Sequence, residues 1–299
     1  MHMSKNYETW HKIKYVLFAF IPWLMFKAIA LVVSSVASII VSANYIKNGG
    51  SIEGATNYVA DYFQGDAAIT ITTIVQLIAM FFGLLILYKG LKRHDFGSPF
   101  KAFPRLTFIG TIVLMVGSCF LTLLTMSFYA VVAPGLLESY NELMTASGLT
   151  GFTTLSIIAT LVVAPVNEEI LFRGVSFGFL KKAGLKFWAI NIIQAFLFGV
   201  THMNIINGIT GGIEYLNIVQ GTYAFVLGLF LGYLRERTGK LWAPMLGHIV
   251  FNFVGTFVTS WLATFGETVA AITMIAGGIV LTILGFFLIE FKRGKATNE

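Results

Sequence analysis

The chain has 299 residues, 57% hydrophobic and only 11% charged, with mean hydropathy +0.80 and a formal net charge of +6. An ordinary soluble domain carries roughly 25% charge, so this composition excludes a soluble enzyme and predicts an all-α, polytopic membrane helix bundle. The basic residues lie in short scattered segments and form no single stripe, which excludes nucleic acid as a partner.

Apolar stretches long enough to cross a hydrocarbon core of about 30 Å recur along the whole chain. They predict eight spans, at residues 15–43, 67–88, 106–134, 151–180, 187–206, 214–234, 241–262 and 268–290. The apolar part of the first is longer than the 7–15 residues typical of a signal-peptide core, so it reads as a retained helix. The third contains Cys119, the only cysteine, so neither a disulfide nor a cysteine metal site can form within one chain. The small-residue pairs Gly174/Gly178 and Gly228/Gly232 predict close helix packing.

Charge sets the orientation. Seventeen of the twenty lysines and arginines fall in the N-terminal tail, the second, fourth and sixth loops and the C-terminal tail. They are Lys5, Lys12, Lys14, Lys89, Lys92, Arg93, Lys101, Arg105, Lys181, Lys182, Lys186, Arg235, Arg237, Lys240, Lys292, Arg293 and Lys295. The other loops hold Lys47 alone, with Glu53, Asp61, Asp66, Glu138, Glu142, Glu214 and Glu267. The positive-inside rule then predicts that both termini are cytoplasmic.

Removing the topology charges leaves few ionisable groups within the spans. Lys27 reads as a snorkelling side chain or an inter-helix donor. Glu168, Glu169, Arg173, His202 and His248 all fall between residues 168 and 248. A charge at the bilayer centre costs about 2.5–3.5 kcal/mol on insertion scales, so such groups face a cavity or one another. Glu169 and Arg173 are spaced i, i+4 for a mutual ion pair, which can be a structural clamp as well as part of a site. Glu168 points about 100° away on the helix and needs a partner from another span or a proton. Phe198/His202 and His248/Asn252 repeat the i, i+4 spacing on two further spans. Pro165 removes an N–H and crowds the carbonyl of Leu161, predicting a disturbed helix just before Glu168.

An acid, two imidazoles and a carboxamide suit activation of water, as in peptide hydrolysis. The sequence contains no H-E-x-x-H, no aspartate within a span and no G-x-S-x-G. From residue types alone, Glu168, His202 and His248 could also ligate zinc.

Glu168-Glu169-x-x-x-Arg173, Phe198-x-x-x-His202 and His248-x-x-x-Asn252, in that order on the fourth, fifth and seventh spans, resemble the three motifs of the CPBP family, the CAAX prenyl protease and bacteriocin-processing (Abi) membrane proteins. The resemblance implies a core at residues 151–262, preceded by three helices in 1–150 and followed by one helix and a tail in 263–299. It implies an intramembrane endopeptidase in which Glu168 with His202 activates water, and His248 with Asn252 forms the oxyanion hole. Glu169 and Arg173 would orient Glu168, and Phe198 would pack under His202. No cofactor is expected, although zinc has been proposed for such sites. The implied partners are the lipid bilayer and a hydrophobic peptide or lipidated protein, of CAAX, bacteriocin or pheromone type. A bacterial plasma membrane is the expected location. Two other functions fit the same residues, a non-proteolytic scaffold or immunity regulator of the family and a proton-coupled transporter. The transporter lacks support from any internal repeat.

Overall fold

The computed structural model describes residues 5–93, 105–147, 152–203, 205 and 217–296. Lys101 and Glu214 lie outside the described residues, as do the side chains of Lys5, Lys92, Arg93, Lys292, Arg293 and Lys295. So do positions 151, 204, 206 and 214–216 of the expected spans.

The chain is all helix among these residues. In chain order the helices are α1 (Lys5–Phe18), α2 (Ile21–Lys47), α3 (Ala55–Tyr62), α4 (Asp66–Arg93), α5 (Arg105–Val132) and α6 (Pro134–Ala146). There follow α7 (Thr154–Lys182), α8 (Phe187–His202), α9 (Ile218–Thr238), α10 (Trp242–Ala263) and α11 (Glu267–Ala296). Among the described residues seven stretches are long and apolar enough to cross a membrane, the first formed by α1 and α2 together. The expected fifth span is the exception. α8 is apolar but has only 16 residues, a length of about 24 Å.

Local chemistry explains the boundaries. The chain turns at Ala19 and Phe20 and restarts with Pro22 in the first turn of α2, where a missing N–H costs nothing. α7 starts at Thr153, whose hydroxyl accepts from the Ser156 N–H at 3.2 Å. α9 stops at Gly239, which takes the left-handed conformation with φ 65° that ends many helices.

α5 runs through the centre, with Leu114, Met115 and Cys119 fully buried. It packs along α11 through small residues spaced seven apart, Gly110 and Gly117 on α5 and Gly278 and Gly285 on α11. Bare backbones meet there, Gly285 against Leu114 and Gly117 against Thr282. α8 and α9 form the other extended pair, where Gly228 lies against the backbone of Ala195 and Gly232 against Asn191 and Gln194. Gly174 differs from the expectation, since a methyl there would meet Leu87 and Leu241 at an ordinary 3.5 Å.

The two ends of the bundle differ in chemistry. At one end Lys181 pairs with Glu236 at 3.0 Å, Arg237 with Glu290 at 2.8 Å, and Tyr15 stacks on Phe179. Arg235 is not a free loop charge as the sequence suggests. α9 continues past it, and its buried Nε donates to the Arg173 carbonyl at 3.1 Å. At the other end the Gly65 N–H donates to the Ala146 carbonyl at 3.1 Å, and Tyr129 bonds Thr222 at 2.9 Å.

The seam makes a direct prediction. Gly285→Ala forces a methyl onto the Leu114 backbone and should cost about 1–3 kcal/mol, seen as a lower thermal unfolding midpoint in detergent. Gly174→Ala should leave the midpoint unchanged or slightly raised.

Candidate active site

α7 presents the acidic motif and is not a regular α-helix. Two wide, π-type turns interrupt it, Ala159–Val163 and Ile170–Ser176, on either side of Glu168 and Glu169. Pro165 accounts for the consequences of the first. The Ala164 N–H bonds the Ala159 carbonyl, five residues back, and Pro165 has no N–H to offer to the next carbonyl. The freed oxygen is that of Thr160, and Asn252 on α10 donates its amide to it at 2.9 Å. A helix defect on α7 is thus converted into a tie to α10.

Glu169 and Arg173 form the expected pair, Nη1 donating to Oε1 at 2.9 Å with both side chains fully buried. The same Oε1 also accepts from His248 Nδ1 at 2.9 Å. The sequence motif gave no sign of this second bond. The Arg173 guanidinium lies over the Phe198 ring, 4.4 Å from its centroid, a cation–π contact in a water-poor setting. Phe198 packs edge-on against Phe172, His202 and His248, with centroids 5.3, 4.7 and 5.7 Å away. It is the common floor of the cluster.

Glu168 turns the other way. Its Oε1 is 3.9 Å from His202 Nε2 and its Oε2 is 3.8 Å from His248 Nε2. These gaps are too wide for direct hydrogen bonds. The i, i+4 spacing fixes the His202 ring, because Nδ1 donates to the Phe198 carbonyl at 2.9 Å. A carbonyl oxygen can only accept, so Nδ1 carries the hydrogen, and the neutral ring turns a lone pair on Nε2 toward Glu168. His248 is held likewise by Glu169, and its Nε2 donates only when the ring is an imidazolium.

Glu168, His202, His248 and Asn252 all line one cavity of about 930 Å³. Its remaining walls come from α2 and α4 to α10, and they mix apolar side chains with uncharged donors and acceptors such as Thr122, Tyr140, Thr160 and Gln220. Glu169 and Arg173 do not reach it. Among the described residues no group of three or more His, Cys, Asp or Glu side chains is arranged to hold a metal ion.

Two contacts escaped sequence reasoning, and Lys27 takes one of its two expected roles. Asn167, next to Glu168 and fully buried, donates its amide to Gln76 on α4, which also lines the cavity. Lys27 is an inter-helix donor, with Nζ 2.8 Å from the carbonyl of Thr201 beside His202. Tyr223 borders the cavity with its ring edge-on to that of Tyr140 on α6, the centroids 6.2 Å apart. Asn167 and Gln76 were discoverable as amides inside apolar spans, but a search confined to charged residues passes over them.

The architecture and site define a class, an integral, multi-pass membrane protein with acid and imidazole groups gathered on a cavity within the bundle. A family model described as Type II CAAX prenyl endopeptidase Rce1-like matches residues 150–254, a segment that contains all three motifs. The chain is 28% identical over 166 residues to CAAX prenyl protease 2 of Arabidopsis thaliana, covering 53% of this chain and 51% of that protein. It is 30% identical over 104 residues to the putative membrane peptidase YdiL of Bacillus subtilis (strain 168), covering 35% of this chain and 36% of that protein. It thus spans about half the length of the first relative and about a third of the second. No solved structure matches the chain. The similarity to the Rce1-like family thus covers residues 150–254, about a third of the chain, and both relatives carry peptidase or protease names.

The buried pair predicts a pattern of rescue. Arg173→Met strands Glu169 as a buried charge, a loss of about 3–5 kcal/mol, and should abolish monodisperse protein on size exclusion. Glu169→Gln combined with Arg173→Met removes both charges and should restore folded yield.

Proposed function

We propose that the protein is an intramembrane endopeptidase that hydrolyses a hydrophobic or membrane-associated peptide with water activated by Glu168. The observation that carries this is the Glu168 carboxylate at the cavity surface between two imidazole Nε2 atoms, 3.9 and 3.8 Å away.

In this mechanism a water molecule on Glu168 loses a proton to the carboxylate as its oxygen attacks the peptide carbonyl carbon. The His202 lone pair orients that water. The oxyanion forms opposite Asn252, which has a second amide N–H beyond the one given to Thr160, and His248 Nε2, which donates as the imidazolium. In that form the charges of Glu168, Glu169, Arg173 and His248 balance. Glu168 returns the proton to the leaving amine nitrogen as the C–N bond breaks. Glu169 and Arg173 act through others as positioning residues, the first on His248 and the second on Glu169 and Phe198.

The catalytic core comprises residues 151–262. With α8 counted as a crossing the chain has eight spans, and the basic loops put both termini in the cytoplasm, in a bacterial plasma membrane. The names of the two relatives support lipidated-protein or peptide substrates, and the cavity is large enough for an unwound peptide segment. No step is assigned to a metal. Glu168, His202 and His248 are the set a zinc ion would use, and a chelator tests it.

Glu168→Gln keeps the size of the side chain and loses the base. Cleavage of a quenched hydrophobic peptide library by purified protein should fall at least about 100-fold in this variant and persist in chelator. Equal cleavage by both proteins would overturn the mechanism. Loss of cleavage in chelator would move the two histidines and Glu168 to a metal site. No cleavage by the wild type, with Glu168→Gln complementing a cellular phenotype, would favour a non-proteolytic regulator.

A further inference from the structure

The geometry points to a substrate that reaches the site from the extracytoplasmic side, so that hydrolysis follows a translocation step that has already carried the peptide across the membrane. This rests on the proteolytic reading for the word substrate, but the sidedness rests on packing and charge alone.

Depth does not decide the matter. Glu168 stands fourteen residues from either end of α7, Thr154–Lys182, about 21 Å in each direction. Packing does decide it. From Ile170 to Leu180 every residue of α7 is buried, and Leu231, Leu234, Leu241 and Met245 close around that half with 0–2% exposure. The way from Glu168 to the end bearing Lys181, Lys186, Arg237 and Lys240 is solid core.

The other half of α7 borders the cavity. From its floor at Glu168, His202 and His248 the cavity extends past Thr160 to Phe152, just ahead of α7, and to Asn217, just ahead of α9. α6 lies across this end. It has 13 residues, too few to span a bilayer, and Asn141 and Thr145 both line the cavity and stand exposed. The mouth is therefore beside α6, at the end opposite the basic loops. Around that end the described charges are Lys47 against Glu53, Asp61, Asp66, Glu138, Glu142 and Glu267. Basic loops stay in the cytoplasm and acidic residues impose little constraint, so the α6 end faces outward.

The cavity lining suits a chain delivered there. Uncharged side chains of Thr73, Gln76, Thr122, Asn141 and Thr256 can satisfy peptide N–H and C=O groups that would be costly to expose to lipid. The class of reaction that must precede cleavage is secretion or insertion of the peptide to the outer side, and the released fragment has no membrane left to cross.

The test uses full-length protein in intact bacterial cells. In a Cys119→Ala background, Asn141→Cys and Lys181→Cys are each treated with a membrane-impermeant charged maleimide, before and after permeabilisation. Asn141→Cys should label in intact cells and Lys181→Cys only after permeabilisation. Labelling of Lys181→Cys in intact cells, or protection of Asn141→Cys there, overturns the inference. If a cysteine variant fails to accumulate, C-terminal fusions of the otherwise unchanged chain replace it. A fluorescent protein that matures only in the cytoplasm should glow and a phosphatase active only outside should be silent; the reverse pattern overturns the inference. Neither readout requires peptide cleavage, so a chain without protease activity can pass and an active protease can fail.

Discussion

One carboxylate oxygen organises the centre of this protein. Glu169 Oε1 accepts from Arg173 and from His248, both at 2.9 Å, with all three side chains buried. In a low-dielectric interior an acid in that position is stable only if it is paired and hydrogen-bonded, and each partner is fixed in turn. Arg173 lies on Phe198, Phe198 carries His202, and the Arg173 carbonyl receives Arg235 from α9. Four helices are therefore registered around a group that never touches the cavity.

The adjacent glutamate does the opposite because of a rotation of one residue. Glu169 is satisfied inside the bundle, whereas Glu168, at the cavity surface, has no direct hydrogen-bonding partner among the described residues. Burial and access to the cavity are thus assigned to neighbouring positions on one helix. The wide turn before the pair matters for the same reason, since with Pro165 it frees Thr160 to receive Asn252 and brings α10 into a fixed relation with the acids. Irregular backbone is tolerated at this depth because protein side chains, and not lipid, meet the unpaired groups.

Much of this was legible in the sequence because a charged residue is an anomaly in so apolar a chain. Glu168, Glu169, Arg173, His202 and His248 stood out by type, and helical spacing correctly paired Glu169 with Arg173 and separated Glu168 from both. Periodicity gives an angle around one helix but not the rotation of its neighbours. The bond from His248 to Glu169 could therefore not be read, nor the inward turn of Arg235, which composition alone assigned to a loop. Pro165 announced a defect, but the partner of the freed carbonyl is 92 residues away. The amides Gln76 and Asn167 carry no charge and were hidden among ordinary polar residues.

The ion pair inside α7 also bears on how the protein is made. Each isolated charge costs about 2.5–3.5 kcal/mol to place at the centre of a bilayer, and α7 carries three before α8 or α10 has been synthesised. Glu169 and Arg173 are four residues apart on the same helix and can neutralise each other as that segment leaves the insertion machinery. Glu168 alone then awaits the histidines of later helices. The order of residues along the chain lets the clamp assemble first and the surroundings of the cavity acid be completed last.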